Sequence, residues 1–274
     1  MGGKRIAKQE PWKRALGSLC LVAVGAAMMV PLTGSVASAQ QSPALPAVTE
    51  TSAPWGQPLP SVSANDPAMA PIWWQAELPE TPPMTDAYFA DALFLGDSRT
   101  EGFQLYSGLT TGMYYHAVGA TVDSVVTRPT QRVPGGKKVP LVEAMAQEHP
   151  AKIYVMLGVN ELGWPGTDKF HDRYALLIDR LRQDHPGAEL VLQSILPVSA
   201  KQQAKQTYVN NDRIAAYNQV IRRLAVEKQC WYLDVSTPVT GEDGCLIPEL
   251  TPDGVHLNGA GCRIWLETLR RHGV

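Results

Sequence analysis

Downstream of Met84 the chain alternates short apolar runs with amphipathic stretches, and this rhythm constrains the fold more than any other feature of its 274 residues. The runs are ALFLG (92–96), MYYHAVG (113–119), KIYVMLG (152–158), ELVLQSILPV (189–198) and CWYLDV (230–235). Short, nearly charge-free runs suit strands buried on both faces, and the helical stretches between them provide the crossovers that parallel pairing requires. Five strands are expected, with helices near 139–149, 170–185, 210–228 and 260–271, giving an α/β fold around a five-stranded parallel sheet. The 210–228 stretch shows the pattern well. Asn210 or Asn211 can cap it, Ile214, Tyr217, Ile221 and Leu224 recur at helical spacing, and Arg213, Arg222 and Arg223 take other faces. His149-Pro150 and His185-Pro186 read as helix-end punctuation rather than as chemistry.

Upstream the character changes. Residues 1–39 carry Lys4, Arg5, Lys8, Lys13 and Arg14, then an apolar run to about Leu32, then Ala37-Ser38-Ala39. This is the order of a secretory signal cut after Ala39, with an uncleaved N-terminal anchor as the alternative reading. Leu19 before Cys20 is too bulky for a lipoprotein cleavage site. Residues 40–85 are rich in Pro, Ser and Ala, which cannot build a core, and read as a linker; Trp73 and Trp74 are an exception in it, since adjacent large aromatics usually dock on something. The globular part is then 86–274, extracytoplasmic, and tethered to membrane or cell wall if the leader is retained. Beyond the leader lie Cys230, Cys245 and Cys262, an odd number, so at most one disulfide forms within the chain. Cys245 with Cys262 is the preferred pair, and three buried small residues are the alternative. A formal net charge of −2 argues against nucleic acid as a partner, and Lys137-Lys138 after Gly135-Gly136 reads as a solvated turn.

Open parallel sheets place ligands beyond the carboxyl ends of their strands, so the residues that follow each apolar run carry the functional information. They are Gly96-Asp97-Ser98, Gly119 and Gly158-Val159-Asn160-Glu161, with TPDGVHLNGAG before the last helix. Acyl transfer needs a hydroxyl, a base, a group that orients the base, and donors for an oxyanion. Ser98 supplies the hydroxyl, His256 the base, and Asp253, three residues earlier on a Pro-Asp-Gly turn, the orienting carboxylate. The Ser98 and Gly119 N–H groups and the Asn160 amide are the candidate donors. Taken singly these are a helix cap, a turn glycine, a loop amide and a surface histidine; their joint placement at strand ends favours the chemical reading.

GDSRTEG, Gly119, GVNE and DGVH together resemble the four blocks of the SGNH (GDSL-type) hydrolase family, over about residues 86–274. The resemblance implies a three-layer α/β/α sandwich of flavodoxin-like topology, a Ser98-His256-Asp253 triad, and an oxyanion hole from Ser98, Gly119 and Asn160. Two positions depart from the family pattern: Arg99 stands where an apolar residue is usual, and Glu161 where Asp follows Asn160. A pairing of Arg99 with Glu161 across the site rim is expected, making both candidate substrate contacts. No G-x-S-x-G elbow, His-Glu-x-x-His zinc motif or Walker-type phosphate loop occurs, so no metal and no cofactor is expected.

The expected substrate is an acylated small molecule or polysaccharide. An envelope or secreted esterase acting on O-acetyl groups of a carbohydrate leads. An O-acetyltransferase of wall polysaccharide, a lysophospholipase- or thioesterase-type acyl hydrolase, and a catalytically silent glycan-binding domain are the alternatives. Trp164, just beyond Asn160, either stacks on a sugar or packs against the loop before the 170–185 helix. The polar segment 199–209 would form a wall of the site, with Tyr208 as a second sugar contact.

Overall fold

The computed structural model describes residues 77–274, and the 92–96 run forms an interior strand, β1 (Ala92–Gly96), buried at every position. The strands that follow are β2 (Met113–His116), β3 (Gln131–Arg132), β4 (Lys138–Val139), β5 (Lys152–Met156), β6 (Glu189–Gln193) and β7 (Trp231–Leu233). Five of them make one sheet in the order β2-β1-β5-β6-β7, and every pairing in it is parallel. This is the flavodoxin-like order, whose reversal of winding direction falls between β1 and β5. The helices are α1 (Ser98–Tyr106), α2 (Ser124–Thr127), α3 (Leu141–Met145), α4 (Asp168–Asp184), α5 (Ala200–Gln203), α6 (Asn211–Glu227) and α7 (Gly259–Arg270).

The pleat of the strands divides the core into two layers. Leu93, Leu95, Ile153 and Val155 pack with α3, α4 and α6, while Ala92, Phe94, Tyr154 and Met156 pack with Phe103 of α1 and Trp265 of α7. Register makes the second layer continuous. Phe94 pairs with Tyr114 on one side and Tyr154 on the other, and its ring stacks on both at centroid distances of 4.9 and 5.2 Å. The result is the three-layer α/β/α sandwich expected from the sequence.

Three expectations change. Cys230, Cys245 and Cys262 are free and buried, so the preferred Cys245–Cys262 disulfide is not formed. The two sulfurs sit in different places: Cys245 Sγ accepts from Asn211 Nδ2 at the start of α6 at 3.4 Å, and Cys262 Sγ faces the Gly102 carbonyl of α1. The folded region also begins before residue 86. Glu77 bridges Tyr232 in parallel, Leu78 is buried and donates to the Tyr232 carbonyl at 2.8 Å, and Thr81 and Met84 donate to the carbonyls of Arg271 and Arg270. An exposed sheet edge offers free carbonyls, which explains why a Pro-rich stretch is held there. Finally, the segment with Lys137 and Lys138 is more than a turn, since β3 and β4 form an antiparallel ribbon. Residues 1–76, with the expected leader, Cys20, Trp73 and Trp74, lie outside the described residues; among those described, no helix is long and apolar enough to cross a membrane.

Gly96 fixes how closely α1 approaches the sheet. A Cβ there would collide with Thr100 Oγ1 and lie 2.7 Å from the Met156 carbonyl oxygen. Gly96→Ala is therefore expected to lower stability by about 1–3 kcal/mol, the usual range for overpacking. The measurement is the urea midpoint; an unchanged midpoint would mean that this approach is not needed.

Candidate active site

The first turn of α1 sets the candidate nucleophile. Asp97, not Ser98, caps the helix: its backbone is extended, and its Oδ1 accepts from Arg99 N at 2.8 Å. Ser98 is left as the first helical residue, half-buried, with Oγ 2.9 Å from His256 Nε2. Its N–H belongs to the first-turn donors that have no partner within the helix.

His256 is held by a turn of its own. Thr251 Oγ1 accepts from Gly254 N at 2.8 Å, while Asp253 Oδ1 accepts from the N–H groups of Val255 and His256, each at 2.8 Å. The other oxygen, Oδ2, lies 2.7 Å from His256 Nδ1. Burial works against charge on Asp253, but the hydrogen bonds from His256 and Val255 prevail and bring its pKa down to about 2. An ionised Asp253 accepts, so Nδ1 carries the proton and Nε2 presents its lone pair to Ser98. Gly254, at φ +87°, supplies a carbonyl to Ser199 N at 2.9 Å, and a Cβ in its place would collide with Ser199 Oγ.

The candidate oxyanion donors gather around Asp97. Gly158, at φ +133°, turns the chain off β5 into a short 3-10 turn, Val159–Glu161. From it Asn160 Nδ2 donates to the Ala120 carbonyl at 2.8 Å and makes a longer contact, 3.4 Å, with Asp97 Oδ2. Ala120 N closes a β-turn onto the Ala117 carbonyl at 3.0 Å, with Gly119 at φ +72° in its third position. Gly119 is exposed. Ser98, Asn160 and the Gly119 turn are thus brought to one place, at the point where the sheet reverses its winding.

Arg99 and Glu161 do not pair, and neither stands on the rim. Arg99 is 3% exposed and donates through Nη1 to the Leu196 carbonyl at 2.9 Å. Burial lowers its pKa to about 10, with the charges of Asp97 and Asp253 acting in the other direction. Glu161 is fully buried; its Oε1 accepts from Val122 N at 2.7 Å, tying the loop after β2 to the turn after β5. Side chains this short of water are parts of the frame behind the site, so the role of substrate contact given them from sequence is withdrawn. Burial raises the Glu161 pKa to about 8, so the folded protein holds this proton through the neutral range. A folded-state pKa above the unfolded value means that stability falls as pH rises from about 4.5 to about 8 and levels off beyond. Glu161→Gln, which keeps the acceptor without the ionisation, is expected to flatten the decline of Tm between pH 5 and 8. An equal slope in both proteins would refute this.

The two aromatic candidates differ. Trp164 packs on the core, and Lys169 Nζ covers its ring at 4.3 Å from the centroid, which favours the packing role. Tyr208 remains 46% exposed and lies over Gly163, so the segment after α5 does reach the loop that follows Asn160. Sequence reasoning missed Asp97, whose value as a cap is visible only once α1 is seen to begin at Ser98. Among the described residues, no group of three or more His, Cys, Asp or Glu is placed to hold a metal.

The fold has known counterparts. The GDSL-like Lipase/Acylhydrolase family model matches residues 94–264. A solved structure from Streptococcus pneumoniae, described as a platelet activating factor, is 25% identical, with a TM-score of 0.55 over 65% of this chain and 81% of its own. A GDSL-like lipase from Bacteroides thetaiotaomicron shares the fold at 17% identity, with a TM-score of 0.50 over 69% of this chain and 89% of its own. No curated protein matches the chain. With well over half of its length matched and the same sheet beneath it, the chain belongs to the GDSL-like lipase/acylhydrolase (SGNH) family, whose members are serine hydrolases of ester bonds.

Proposed function

We propose that this chain is an extracytoplasmic esterase that removes small acyl groups, chiefly O-acetyl, from a carbohydrate through an acyl-Ser98 intermediate. The observation that carries the reading is the unbroken relay Ser98 Oγ–His256 Nε2 at 2.9 Å and His256 Nδ1–Asp253 Oδ2 at 2.7 Å. His256 Nε2 takes the Ser98 proton as Oγ attacks the ester carbonyl carbon, and Asp253 stabilises the imidazolium that forms. The oxyanion receives the N–H groups of Ser98 and Gly119 and the Asn160 amide hydrogen that otherwise makes the long contact to Asp97. Collapse breaks the carbon–oxygen bond to the alcohol, which takes the proton from Nε2. Water then attacks the acyl-serine carbonyl, giving up a proton to the same nitrogen; collapse breaks the acyl–Oγ bond, Nε2 returns the proton to Oγ, and the acid and free Ser98 are released.

A carbohydrate substrate is supported by the exposed ring of Tyr208 beside the loop after Asn160, a surface on which a sugar can stack. Action outside the cytoplasm, with a membrane or wall tether, rests on the order of charge, apolar run and small residues in 1–39.

Assayed on acetylated polysaccharides and short-chain esters, Ser98→Ala is expected to lose about 10⁴-fold or more in kcat. The same change should abolish labelling by a fluorophosphonate. Persistent turnover would remove Ser98 from the chemistry, and acetyl transfer to glycan in preference to water would make the enzyme a transferase. Asn160→Ala is expected to lower kcat by about 10²–10³ with little change in KM, as for loss of one oxyanion donor. A change confined to KM would instead make Asn160 a ground-state contact.

A further inference from the structure

Beyond the Gly119 turn lies a shallow cleft, open to solvent on one side, whose walls include Gly119, Ser124, Arg128, Thr130 and Leu141. Two of these residues have unused polar capacity. Thr130 Oγ1 is buried and has no hydrogen-bond partner, and the exposed Arg128 makes no ion pair among the described residues. The β3–β4 ribbon starts immediately after Thr130. Val133-Pro134-Gly135-Gly136 closes it with Gly136 N donating to the Val133 carbonyl at 3.0 Å and Gly135 at φ +89°. Proline second and glycine third define this turn tightly, so the ribbon presents its side chains in a set register.

That register places Arg132 directly opposite Lys138. Like charges facing each other across an antiparallel pair oppose the pairing unless something neutralises them. Nearby sequence does not: from 124 to 142 there are four cations, Arg128, Arg132, Lys137 and Lys138, and no Asp or Glu. Lys137 reaches Glu143 at 3.5 Å on the surface, and Arg132 donates to the Gly136 carbonyl. Arg128 and Lys138 keep their charge unpaired. In a chain of formal net charge −2 this is a local reversal of sign, adjoining a candidate oxyanion donor.

We infer that the cleft and ribbon form a subsite for an anionic group of the acylated substrate, a carboxylate or phosphate carried by an acidic carbohydrate. Arg128 provides the charge and the planar pair of donors that suit such a group, and the Thr130 hydroxyl adds a neutral donor. Arg132 and Lys138 extend the positive field along a polymer. This inference deepens the esterase reading and rests on it for the identity of the substrate, but not for the existence of the subsite.

The subsite is tested by calorimetry on full-length Ser98→Ala protein, which holds ligand without turnover. The probes are oligogalacturonate, a neutral galactose oligomer and inorganic phosphate. An anion is expected to bind more tightly than the neutral oligomer, with affinity declining as salt rises. Adding Arg128→Gln should weaken it about tenfold, whereas adding Arg223→Gln, the same loss of charge on α6, should not. The tighter of the two anions identifies carboxylate or phosphate as the group recognised. Equal binding of neutral and anionic probes, or equal effects of the two arginine changes, would overturn the subsite. With wild-type protein, kcat/KM should favour O-acetylated polygalacturonate over O-acetylated xylan, and Arg128→Gln should remove the preference. Absence of turnover on every ester would count against the esterase reading alone, because the calorimetry stands without it.

Discussion

A single buried carboxylate organises the carboxyl edge of the sheet. Asp97 is 1% exposed, and burial raises its pKa against the opposing pull of Arg99. One of its oxygens caps α1 through Arg99 N, and the other faces the Asn160 amide, which in turn holds the Ala120 carbonyl. The end of β1 and the turn after β5 therefore share one acceptor, and the loop after β2 joins them through the same Asn160 amide. Because Asp97 takes the capping duty, the hydroxyl beside it is free to face His256. Arg99 behind it adds a cation that favours the charged form of both Asp97 and Asp253. The departure from the family pattern at Arg99 thus acts on the electrostatics of the frame, away from the mouth of the site.

What could be read from the sequence is what short-range physics determines. The strand at 92–96 is legible because a run buried on both faces must be apolar throughout, and α4 and α6 because their buried faces recur every three or four residues. The Asp253-His256 contact is legible because three residues on a Gly-containing turn can meet only in a few ways. Where long-range placement decides, the sequence is silent. Arg99 and Glu161 are opposite charges at neighbouring strand ends, yet each turns inward to a different backbone partner. Cys245 and Cys262 are close in number and sit against different helices. The β3–β4 ribbon is hidden by its polarity, since a two-stranded arm at the surface needs little apolar alternation. Residues 77–85 look like tether by composition, but one buried leucine, a bond to the sheet edge and two bonds to the carbonyls ending α7 hold them.

The sheet also explains why residues so distant in sequence converge. Ser98 and Asn160 follow the two strands between which the winding reverses, where the crossovers diverge to opposite faces and leave a crevice. His256 reaches the same crevice from the loop ahead of α7, which packs with α1 on one face.

The glycines at that crevice have a consequence for how such a protein can change. Gly96, Gly158 and Gly254 each sit where one added carbon would strike a neighbour: Thr100, Ile195 and Ser199 respectively. Under mutation the floor of the site is therefore nearly frozen, because even the smallest side chain must move something already packed. The β3–β4 arm meets no such limit: most of its side chains stand in solvent, and its charges can be exchanged without disturbing the sheet. Sequence drift is channelled into the walls, so new substrate preferences can arise by rewriting a surface arm while the reacting groups stay in place.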